Sequence, residues 1–142
     1  MNSSKPDFTF LDHTADLGIL VKGTDLKDLF EVAARSMMYI MVKENPIQTT
    51  DTVRISVAGQ DLADLMVRWL SEILYMLEGE HVVVRNVRIA KIVPSHLNAI
   101  LGTVPFDPAM HEILCEIKAV TYHQIEVVKN NEHWEAKIIF DL

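Results

Sequence analysis

A single cysteine, Cys115, among 142 residues excludes an intrachain disulfide. With no second thiol, a zinc site of the thiolate kind is excluded as well. Glycine is almost as scarce, with five in all. The chain has no Gly-x-x-x-x-Gly-Lys loop and no Gly-x-Gly-x-x-Gly fingerprint, so a glycine-rich phosphate cradle is not expected. No Gly-x-Ser-x-Gly elbow singles out a serine. None of the six histidines forms a His-x-x-x-His pair, which leaves a zinc hydrolase of that type unsupported. No apolar stretch is long enough to span a bilayer. No basic segment followed by an apolar one marks a secretory leader, and a cytoplasmic, reducing setting is expected. Basic residues are also short: 13 Lys and Arg stand against 20 Asp and Glu, a net charge of −7. Affinity for phosphate backbones comes from clustered Lys and Arg, and here they occur singly or in loose pairs such as Arg85 and Arg88. An acidic domain can still hold a cation, or serve RNA chemistry through a protein partner.

What is present reads as one domain over residues 1–142, with a polar N-terminal tail at residues 1–6 and 49% hydrophobic content, enough for a core. No internal repeat and no linker is evident. Leu17, Ile19 and Val21 alternate as in a strand that Gly23 ends. Thr24 is placed to cap a helix over Leu26–Met41, with Asp25 and Asp28 in its first turn. Val53, Ile55 and Val57 alternate in a second strand. Gly59-Gln60 turns the chain, Asp61 caps a helix over Leu62–Leu77, and Gly79 closes it. Strands are expected over His81–Val93, Leu97–Val104, Leu114–Val120, His123–Val128 and Trp134–Phe140, with a hairpin turn at Asn130-Asn131. Two helices among about seven strands, not alternating one for one, predict an α+β fold. Its simplest form is a two-layer domain with both helices packed on a mostly antiparallel or mixed sheet. Cys115 is read as a small buried apolar residue. Met37, Met38, Tyr39 and Met41 make the end of the first helix apolar nearly all round, which fits the core or an adaptable partner surface.

Three polar features stand out. Asp12-His13-Thr14-Ala15-Asp16 lies between apolar flanks and fits either a turn stabilised by its side chains or a functional site. The apolar run Ile138-Ile139-Phe140 ends abruptly in Asp141-Leu142. If ordered, that end fixes the Asp141 carboxylate beside the α-carboxylate of Leu142, and the two repel unless a cation or donors intervene; a frayed, solvated end is the ordinary alternative. Lys118-Ala119-Val120-Thr121-Tyr122-His123 mixes polar and apolar residues, as in a bulged strand end that aims polar groups at a site, or in a plain strand with one wet face.

Together these features resemble the archease family. The likeness rests on Phe10-Leu11-Asp12-His13-Thr14-Ala15-Asp16, on Lys118–His123, on a last strand ending in Asp141 and one aliphatic residue, and on Phe106-Asp107-Pro108 with His111. The resemblance implies a non-enzymatic accessory protein of the RtcB-type RNA-splicing ligase, acting in tRNA splicing and RNA repair by promoting ligase guanylylation and repeated turnover. RNA would then be met only through the ligase, with no membrane partner. The family's metal-binding positions map to Asp16 and Asp141, completed by the C-terminal carboxylate of Leu142. Asp12, His13, Thr121 and His123 would lie close by and support them. The implied metal is calcium. Carboxylate oxygens agree with that, since they suit hard cations such as Ca²⁺, Mg²⁺ or Mn²⁺. Two other functions compete: a metal-dependent phosphoester hydrolase using the same cluster, and a chaperone-like binding module using the Met-rich helix end.

Overall fold

The computed structural model describes residues 5–12, 16–43 and 49–142. Its elements run β1 (Phe8–Phe10), β2 (Leu17–Gly23), α1 (Leu26–Met41), β3 (Asp51–Ala58), α2 (Leu62–Glu78), β4 (Val82–Val93), β5 (His96–Pro105), β6 (Ala119–Val120), β7 (Glu126–Asn130) and β8 (His133–Asp141). The α+β class and both helices are as the periodicity predicts. The strands divide between two antiparallel sheets rather than forming one. In the first, β1, β2, β8 and β6 follow in order and β7 also pairs with β8; in the second, β5 lies between β3 and β4. Both helices touch both sheets: α1 packs on β4 and on β1, β2 and β8, while α2 packs on β3 and β4 and on β6 and β7. A helix covered on two sides must be apolar around most of its girth. This is why Leu29, Phe30, Val32, Ala33, Met37, Met38 and Met41 of α1 are all buried. The Met-rich end is therefore core, and only Tyr39 stays exposed, its ring edge-on to Phe8. Trp69, fully buried in α2, donates its indole N–H to the Phe30 carbonyl 2.9 Å away and so joins the two helices.

Several local expectations change. The cap of α1 is Asp25, whose carboxylate accepts from the Asp28 N–H; Thr24 donates its backbone N–H to the Asp28 carboxylate. The same pair of bonds opens α2, from Asp64 N–H to Asp61 and from Gln60 N–H to Asp64. Gly23-Thr24-Asp25-Leu26-Lys27-Asp28-Leu29 and Gly59-Gln60-Asp61-Leu62-Ala63-Asp64-Leu65 are thus one strand-to-helix device used twice, so a short internal repeat does exist. Residues 114–118 are not strand. Ile113 bridges Val42, and the Leu114 and Cys115 N–H groups both donate to the Met41 carbonyl, so this stretch closes off the end of α1. Cys115 is half-buried against the core. The last hairpin turns one residue later than expected, with Asn131 at φ 59°. The Asn45-Pro46 pair, which breaks the helical pattern after Met41 in the sequence, lies outside the described residues. Among the described residues, no helix is long and apolar enough to cross a membrane.

Candidate metal centre at the end of the last strand

The first polar motif is the tip of the β1–β2 hairpin. Leu11 N–H donates to the Gly18 carbonyl at 2.8 Å, and Asp12 and Asp16 lie at the two ends of the loop beyond it, both exposed. His13, Thr14 and Ala15 lie outside the described residues. Leu17 starts β2 and pairs with Phe140 of β8. Asp16 directly precedes Leu17, and Asp141 directly follows Phe140. Residues 125 positions apart in sequence thus border the same end of the β2–β8 ladder, because the antiparallel pairing of those strands starts where both motifs lie.

Asp141 is not a frayed end. It belongs to β8, pairs with Ala119 of β6, and its carbonyl accepts from the Lys118 N–H at 2.7 Å. Thr121 fastens the same strand from the same side: its N–H and its hydroxyl both donate to the Ile139 carbonyl, at 3.0 and 2.9 Å. The Thr121 hydroxyl also accepts from the His123 N–H. The final carboxylates thus emerge from a strand held on both edges, with apolar Phe140 and Ile139 buried immediately before them. Asp16, Asp141 and Leu142 are exposed. Carboxylate oxygens are of the kind that hard cations take. Side chains alone do not make a larger cluster: among the described residues, no three His, Cys, Asp or Glu gather to hold a metal. Thr121 secures the strand rather than the carboxylates, and His123 is exposed in the turn after β6, where Gln124 takes φ 54°.

The third motif contributes a residue that spacing did not single out. Tyr122, 55% exposed, donates its hydroxyl to the Asp64 carboxylate at 2.6 Å. Asp64 also accepts from Arg68 Nε at 2.9 Å and from the Gln60 N–H. These donors, the Tyr122 hydroxyl foremost, hold the Asp64 carboxyl below its ordinary value. The Tyr122 phenol is pushed up in turn, mainly by that bond to Asp64. The turn that follows β6 is in this way tied to the start of α2.

Two helices held between two antiparallel sheets make this a small α+β domain. The Archease protein family (MTH1598/TM1083) matches residues 8–142, and the chain belongs to that family. It is 32% identical over 146 residues to the protein archease of Methanosarcina acetivorans, covering all of both chains. It is 32% identical to that of Pyrococcus abyssi over 135 residues, 92% of this chain and 95% of the relative. The solution structure of Methanobacterium thermoautotrophicum protein 1598 aligns with a TM-score of 0.76 at 29% identity, over 96% of this chain and 99% of that one. An archease of Thermotoga maritima, described as a possible chaperone, aligns at 0.65 and 18% identity and speaks for the fold alone.

Proposed function

We propose that this chain is a non-enzymatic activator of an RtcB-type RNA-splicing ligase, promoting guanylylation of the ligase and its repeated turnover. It does so through a divalent cation, calcium by expectation, held by Asp16, Asp141 and the α-carboxylate of Leu142. One observation supports the reading: Leu17 pairs with Phe140, and their chain neighbours are Asp16 and Asp141. A bound cation would offset the repulsion of these carboxylates and present open positions to groups on the ligase. The chain's own part is positional. Lys118 and Thr121 pin β8 so that the terminal carboxylates keep one geometry. The burial of Met37, Met38 and Met41 removes the surface on which a chaperone-like alternative rested.

The test is ligase guanylylation with GTP and Mn²⁺ at limiting ligase from the same organism, with and without this protein. Wild type should raise the guanylylated fraction. Asp16→Ala and Asp141→Ala should each abolish that gain while keeping the native circular dichroism spectrum, and Asp51→Asn on exposed β3 should retain it. Full activation by both alanine variants would refute the mechanism. Phosphoester hydrolysis by the protein alone, lost in Asp16→Ala, would instead favour a hydrolase.

A further inference from the structure

The described residues hold a second polar feature, away from the carboxylates. A cleft of about 110 Å³ opens between α1, β4 and the loop before residue 112. Three cations line it, Arg35, Lys43 and Arg85, and no acidic residue does, although the chain carries 20 acids to 13 bases. Among the described residues neither Arg35 nor Arg85 has an ion-pair partner; Lys43 meets Glu112 only at 3.9 Å, both side chains more than 60% exposed. Such an exposed pair holds its lysine weakly.

His111 also lines the cleft, and its relative exposure is 5%. Its Nδ1 accepts from the Asp107 N–H at 3.0 Å. The ring proton therefore sits on Nε2, which is buried with no hydrogen-bond partner. A buried donor left unmade costs free energy, so an orphan of this kind calls for a ligand or a water. The ring is held in place by Phe106, stacked on it at 5.6 Å.

Arg85 reaches the cleft by a distortion of the sheet. Val84 pairs with Thr103 and Asn86 with Gly102, leaving Arg85 as the extra residue of a β-bulge on edge strand β4. Bulges re-aim side chains and are common beside functional sites. Met38 and Tyr39 supply an apolar wall. We infer that this cleft is an anion site for a phosphate group, free or at the end of a small phosphomonoester. Arg35 and Arg85 would supply charge-assisted hydrogen bonds, the buried His111 ring beside them would sense the bound charge, and the apolar wall would pack any organic body. The inference is independent of the metal centre and of ligase activation.

The test titrates the full chain with inorganic phosphate, then with phenyl phosphate, at constant ionic strength and with no added divalent cation. The readout is the ring nitrogen and proton resonances of the histidines, with the His111 signal identified by its loss in His111→Phe, which keeps a ring to stack on Phe106. Expected is a saturable shift of the His111 Nε2–H signal that chloride does not produce, weakened about tenfold or more in Arg85→Gln and in Arg35→Gln. Tighter binding of phenyl phosphate identifies a phosphomonoester as the better ligand, and equal binding identifies the phosphate group alone. If His111→Phe does not fold, the two glutamine variants still decide, because the histidine signal that phosphate shifts in wild type should shift less in both. No His111 response to either probe, a response equal to that of chloride, or unchanged affinity in both glutamine variants would overturn the proposal and leave the cleft holding water only.

Discussion

Asp64 is held by three donors from three places: the Gln60 backbone before α2, Arg68 one turn along it, and Tyr122 from the turn after β6. A carboxyl lowered in the folded state adds stability above its ordinary value of 3.8, and that stability is lost as pH falls through the folded value. A phenol raised in the folded state works at the other end. Its contribution is complete below the ordinary 10.0 and disappears as pH rises through the folded value. Tyr122→Phe should therefore flatten both arms of the stability–pH curve, in urea midpoints taken near the two ordinary values and at neutrality. The alkaline arm should be affected most, because Phe has no phenol to titrate. A profile that superimposes on wild type would show that the bond does not exist in solution. Sequence spacing singled out the segment but weighted Thr121 and His123, since the partner of Tyr122 is 58 residues away and no local pattern reports it. The ordered end of the last strand was open to reading, because the apolar run Ile138-Ile139-Phe140 leads straight into Asp141, which the structure keeps in β8. The cleft at His111 was not, because Arg35, Lys43 and Arg85 converge only through the pairing of β4 and its bulge.

At the scale of elements, the two helix starts share a requirement. A Cβ on Gly23 would come within 2.4 Å of the Leu29 backbone N, and one on Gly59 within 2.9 Å of the Leu65 backbone. Backbone cannot yield as a side-chain tip can, so the residue two before each cap must be glycine for the helix to fold back this closely. Gly23→Ala should destabilise by about 1–3 kcal/mol, and Gly59→Ala by less, in the order of those two contacts. Asp25→Ala and Asp61→Ala should each cost about 1 kcal/mol through loss of the cap bond, whereas Thr24→Ala, which removes only a long 3.3 Å hydroxyl contact, should cost less than either. Chemical denaturation midpoints check the order; a Thr24→Ala penalty above that of Asp25→Ala would reverse the cap assignment. The helices were readable because an apolar stripe at 3.6-residue spacing is a local property. Leu114–Val120 was misread because its alternation of apolar and polar residues promises a strand only where another strand is available to pair. Here the available carbonyl is that of Met41 at the end of α1, and pairing with β8 begins only at Ala119.

Across the whole molecule, the pattern along each element tells how many of its faces are buried, but not which sheet buries them. The all-round apolar end of α1 was the one local sign of a second sheet, since a helix on a single sheet needs only one stripe. The same long-range closure governs the proposed metal centre. Asp16 ends the β1–β2 loop and Asp141 ends β8, so only the pairing of β2 with β8 could bring the two to one cation. A cation that needs both residues binds the folded chain and not the unfolded one, and adds stability by mass action. At a free Ca²⁺ concentration a hundred times the dissociation constant the gain is about 2.7 kcal/mol. For a domain of this size that corresponds to a rise in melting temperature of roughly 5–10 °C. Asp16→Asn and Asp141→Asn should lose most of that increment. Without metal they should melt at or slightly above the wild-type temperature, because each removes a like charge from the ladder end. Two residues appended after Leu142 should reduce the increment as well, since the terminal carboxylate becomes a neutral amide while Asp141 stays in place. Asp51→Asn should keep the full increment. If the extended chain retains it, the α-carboxylate is not a ligand; if both asparagine variants retain it too, calcium binds elsewhere and the ladder end is only a solvated terminus.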